Sequence, residues 1–171
     1  MKKPPLLPFE ALRRVLRVAR FNGWIVLVIS GAFALGSASI HDTVGTAVGL
    51  LIAGAGAMEL HGASRLNHGA AQGVNWMIGS QFYLMAVVFG YIGLRLQHVD
   101  TGSLQPYLTQ EQHQAIAQAG LTTDEFLRAV YVSTWCLVGG VTLIYQSAMA
   151  IYYHRRRGSI AAALQEAERH E

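Results

Sequence analysis

Four long apolar stretches, residues 23–40, 43–60, 74–94 and 129–153, constrain this chain more than any other feature. Each holds 18 to 25 residues, and together they contain one charged side chain, Glu59. A helix needs about 20 apolar residues to cross the hydrocarbon core of a bilayer. Inside lipid every backbone N–H and C=O must be paired within the protein, which leaves helices or a closed barrel. The stretches show no strand-like alternation, so helices are expected. Composition agrees: of 171 residues, 52% are apolar and 13% charged, against about 25% charged in an ordinary soluble domain. The segments between stretches are too short to build a core of their own. The sequence therefore predicts an all-α membrane protein, a four-transmembrane-helix bundle forming one integral membrane domain over 1–171. The first stretch has a basic front and a small-residue end, as a signal peptide does, but its apolar run is long, and it reads as an anchor.

Lys and Arg set the expected threading. Eleven lie in the N-terminal segment (Lys2, Lys3, Arg13, Arg14, Arg17, Arg20), the second loop (Arg65) and the tail (Arg155, Arg156, Arg157, Arg169). The opposite side carries only Arg95 and Arg128. The positive-inside rule puts both termini in the cytoplasm of an inner (plasma) membrane. Trp24, Trp76, Tyr152 and Tyr153 then fall near the inner interface, and Tyr91, Tyr131 and Trp135 near the outer one, where amphipathic rings prefer to sit.

Residues 8–20 read as a separate basic amphipathic helix. Arg13, Arg14, Arg17 and Arg20 share one arc, while Phe9, Leu12, Val15, Leu16 and Ala19 share the other. Such a helix is expected to lie in the inner interface and attract anionic headgroups, or to dock a cytoplasmic partner. Arg155, Arg156 and Arg157 read as a second lipid anchor at the head of a cytoplasmic tail, 154–171. The outer loop, 95–128, is interrupted by Pro106. A short surface helix is expected over 109–119 with Gly120 as its stop, and Thr122 or Thr123 is the expected cap of the last helix.

Helices associate in lipid through close approach across small residues, since burial alone gains little there. The expected seams are Ser30, Ala34 and Ala38 in the first stretch; Gly45, Gly49, Gly56 and Ala63 in the second; Gly79, Ala86, Gly90 and Gly93 in the third; and Ala129, Ser133, Cys136, Gly140 and Ser147 in the fourth. They can build the monomer, a homo-oligomer, or both.

Glu59 is the one intramembrane carboxyl and so a functional candidate. At 1.5 Å per residue it stands about 24 Å along its helix, near the inner headgroups. An arginine of the N-terminal helix, Asn75 or the Arg155–Arg157 run is its expected partner. It reads as a structural ion pair, a solvated carboxylate, or a proton or cation site. His61, Arg65 and His68 share a face if the second helix continues, but their spacing fits no usual zinc pattern. No span carries an interior histidine for haem, and no catalytic constellation, cofactor motif or nucleic-acid partner is expected. The leading expectation is a non-catalytic scaffold or accessory subunit in a homo-oligomer or larger membrane complex. The alternative is a homo-oligomeric channel or transporter with Glu59 near its cytoplasmic mouth.

Overall fold

The computed structural model describes residues 8–97, 99, 101–102 and 105–169. Lys2 and Lys3, residues 170–171 of the tail and residues 98, 100, 103 and 104 of the outer loop lie outside the described residues. Among the described residues there are five α-helices and no strand: α1 Pro8–Ser39, α2 Thr43–Asn67, α3 Gly73–Gln97, α4 Gln110–Gln118 and α5 Thr123–Glu168, with a 3₁₀ turn at Gln105–Tyr107. Four of them, α1, α2, α3 and α5, are long and apolar enough to cross a membrane.

The helix ends follow from local chemistry. Asp42 caps α2, its side chain accepting from the Gly45 N–H at 2.9 Å. His41, in the left-handed region at φ 59°, makes the tight turn into it. α2 stops at Gly69, whose φ of 81° suits a residue without a Cβ. Thr109 and Gln112 form a reciprocal capping box on α4. Thr122 and Glu125 bond in the same way ahead of α5, through Thr122 N–H to Glu125 at 3.0 Å and Glu125 N–H to Thr122 at 3.3 Å.

α1 differs from the separate interfacial helix expected over 8–20. It runs unbroken for 32 residues, because Phe21 and Asn22 offer no helix-breaking residue between the amphipathic segment and the apolar stretch. Its basic arc, Arg13, Arg14, Arg17 and Arg20, is exposed as expected. Within its apolar arc Val15 and Ala19 are fully buried, as is Ala11 beside them, whereas Phe9 is half-exposed. α5 likewise continues through the tail to Glu168, and Ile160 and Ala163 are buried there.

The chain divides into two compact units. In the first, residues up to 87 and from 144 onward, Val15, Ala19, Ala63, Leu66, Val74, Met77, Tyr153 and Ile160 form the core, with Leu12, Leu16 and Leu164 packed against it. The glycines of α2 let the backbones approach. A Cβ at Gly56 would stand 2.7 Å from the Gly23 carbonyl oxygen and 2.8 Å from the Leu27 nitrogen, and one at Gly49 would stand 2.9 Å from Ala34 Cα. In the second unit, 88–143, Trp135 lies edge-on to Tyr91 and Tyr131 at 5.3 and 6.1 Å between ring centroids. Arg95 Nε donates to the Tyr91 hydroxyl at 2.8 Å.

Candidate functional site: a buried carboxyl among four helices

Glu59 is only 2% exposed. The reason is visible along α2. Its neighbours one turn away on either side are Ala55, Gly56, Gly62 and Ala63, all buried. Residues three and four apart share a helix face, so a ring of small side chains lets adjacent helices close over the carboxyl.

Every long helix of the first unit contributes a polar group there. Asn22 of α1 donates from Nδ2 to Glu59 Oε2 at 2.7 Å. The Tyr153 hydroxyl of α5 donates to Oε1. The Gln81 side chain of α3 makes a further polar contact with the carboxyl. Tyr145, two turns before Tyr153 on α5, donates to Asn22 Oδ1 at 2.9 Å. With Tyr145 donating to its oxygen, the Asn22 amide presents its nitrogen to Glu59. Asn22 is buried, and Tyr153 and Gln81 are fully so.

These partners are neutral. Among the described residues no cation pairs with Glu59. The residues expected to pair with it lie elsewhere: Asn75, Arg155 and Arg157 are exposed, and Arg156 stacks over the Tyr152 ring at 6.0 Å. The His61 ring instead meets Trp76 edge-on at 5.1 Å, and His68 Nδ1 bonds the Ser64 carbonyl at 2.8 Å. Sequence reasoning missed Asn22 because it falls one residue outside the first apolar stretch. It missed Tyr153 because a tyrosine at a span's end fits the aromatic belt equally well. The usable signals were the small residues flanking Glu59 and the seven-residue interval between Gln146 and Tyr153, which puts both on one face of α5.

The arrangement suits holding better than proton transfer. Tyr145 reaches Glu59 only through the Asn22 amide, and an amide cannot pass a proton on as a hydroxyl, carboxyl or water does. Two or three neutral hydrogen bonds hold the carboxyl in place, and each joins α2 to another helix.

The expected seam glycines divide into two sets. Gly45, Gly49 and Gly56 are buried against neighbouring atoms, whereas a Cβ on Gly79, Gly90 or Gly140 would meet nothing within 4 Å. α3 buries Met77, Ser80 and Gln81 instead, and α5 buries Gln146, Ala150 and Tyr153. No protein-family model, curated protein or solved structure matches this chain.

Proposed function

We propose that this is a small multi-pass inner-membrane protein that acts by assembly: a non-catalytic scaffold or accessory subunit, with both termini in the cytoplasm. The observation that carries this reading is the pair of uncovered small-residue faces. Gly79, Gly90 and Gly93 on α3, and Ser133, Cys136 and Gly140 on α5, are left partly or fully exposed. Faces of this kind let a further helix approach closely in lipid, where packing rather than burial drives association. The fit is to a second copy of this chain or to another membrane subunit. The exposed arginines of α1 and the Arg155–Arg157 run suit anionic headgroups at the inner face. The covered position of Glu59 favours a packing lock over the mouth of a channel.

Cys136 gives a direct test. It is the sole cysteine, it is exposed, and it precedes Gly140 by one turn. Treating native membranes with a bifunctional maleimide is expected to yield one discrete adduct of defined mass through Cys136. Gly140→Leu should reduce its yield about tenfold, the effect of roughly 1.4 kcal/mol at the contact. Recovery of monomer alone would rule out self-assembly through this face.

A further inference from the structure

Three helices of the first unit continue past their apolar stretches at the end of the bundle that holds both termini. α1 begins at Pro8, ahead of residue 23. α2 runs on to Asn67, beyond residue 60, and α5 to Glu168, beyond residue 153. The extensions pack on one another, since Val15, Leu66 and Ile160 belong to one core. Between the three lies a groove of about 450 Å³, lined by Leu12 and Leu16 of α1, Leu66 and His68 at the end of α2, and Leu164 and Ala167 of α5.

Its height decides what can fill it. At 1.5 Å per residue, Leu66 stands about 9 Å beyond its apolar stretch, Leu16 about 10 Å, and Leu12 and Leu164 about 16 Å. Headgroups add only about 5–7 Å to each side of the hydrocarbon core. The groove therefore clears the bilayer, and lipid chains do not reach it. A leucine-lined groove open to water is the kind of surface that a partner's apolar side chains cover.

The edge of the groove is basic. Arg13 is three residues from Leu16 and Arg65 three from His68, and residues at that spacing share a helix face. Both arginines are exposed, and Arg13 stands about 15 Å beyond its apolar stretch, out of reach of headgroups. The described carboxylates Glu10 and Glu166 are two residues from Leu12 and Leu164, and residues two apart do not face each other. His68 Nδ1 already bonds the Ser64 carbonyl at 2.8 Å. The groove thus offers apolar walls and positive charge, not the converging polar groups of a small-molecule site. The chain's own first seven residues carry Lys2 and Lys3 and no carboxylate side chain, so their charge does not match this rim.

We propose that the groove docks an acidic amphipathic helix of a soluble protein on the side of the membrane that holds both termini. Its apolar face lies on Leu12, Leu16 and Leu164, and its carboxylates turn toward Arg13 and Arg65. This surface is separate from the Gly140 face of α5. It goes beyond assembly within the membrane and stands whether or not that face takes a partner.

The test uses the full-length protein in nanodiscs of zwitterionic lipid, with Cys136→Ser and Asn67→Cys so that a bimane label sits at the lip of the groove. The probe is a synthetic amphipathic helix of about five turns, with leucines on one face, glutamates flanking them and one tryptophan to quench the label. Quenching should be saturable. The same peptide with lysines for glutamates should need at least about ten times the concentration. Leu16→Glu should raise half-saturation at least about tenfold, the loss of a buried leucine contact. Arg13→Glu, at an exposed position, should weaken the acidic peptide at least about threefold and strengthen the lysine one. Absence of saturable quenching would overturn the proposal, as would equal half-saturation for the two peptides or a response unchanged by Arg13→Glu. Quenching of the label by lipids carrying a nitroxide on the acyl chain would place the groove in the bilayer and overturn it too. The Arg13→Glu result decides even if Leu16→Glu does not fold.

Discussion

The Glu59 carboxyl accepts from two buried donors that have no other acceptor among the described residues, and this decides what each substitution costs. Glu59→Ala strands the Tyr153 hydroxyl and the Asn22 amide together, and an unfolding loss of about 2–4 kcal/mol is expected. Glu59→Gln retains one accepting oxygen and should cost about half as much. Tyr145 is half-exposed and bonds only to Asn22, so Tyr145→Phe should cost about 0.6 kcal/mol, the average for a hydrogen bond between helices in lipid. Chemical unfolding in micelles would rank the three, and a Tyr145→Phe loss equal to that of Glu59→Ala would contradict the geometry. Glu59 stands out in the sequence as the lone carboxyl in an apolar stretch. Its partners do not, because Asn22 and Tyr153 lie 37 and 94 residues away in the chain, and only tertiary packing brings them together.

At the scale of the helices, the same substitution has opposite effects on two glycines. A methyl at Gly56 would meet the backbone of Gly23 and Leu27, atoms that cannot turn aside. Gly56→Ala should therefore destabilise the chain by about 1–3 kcal/mol. Gly140 faces open space, so Gly140→Ala should be neutral or stabilise by up to about 1 kcal/mol through helix propensity. Unfolding midpoints of the two variants shifting in the same direction would refute the division between inward and outward seams. That division marks the limit of sequence reading here. Hydropathy locates the long helices, because lipid imposes a length and a composition on any span. It cannot say which face turns inward, since small residues serve a neighbour in the same chain or in another equally well. The sequence places an apolar arc over residues 8–20 without saying what lies against it, because lipid and the buried faces of α2, α3 and α5 are both apolar.

At the scale of the whole molecule, packing is unequally distributed. The core of the first unit gathers Val15, Leu66, Met77 and Tyr153, while α4 buries only Ile116. Amide hydrogen exchange should therefore be slowest around 15–19, 63–66 and 153–160 and faster by orders of magnitude in 110–118. Uniform protection would contradict this. α5, with 46 residues, is about 69 Å long, more than twice a hydrocarbon core of about 30 Å, so much of it must stand in water. A reporter that is active only in the cytoplasm, fused after residue 171, is expected to be active, and silence would overturn the threading. The length of α5 also bears on how the protein is made. Tyr153 and Ile160 leave the ribosome long after Val15, yet all three belong to one core. Until they arrive, the first three long helices are an unfinished intermediate whose Glu59 still lacks its tyrosine. Closure of the core thus waits for α5, and a chain truncated before Tyr153 would be exposed to membrane proteases.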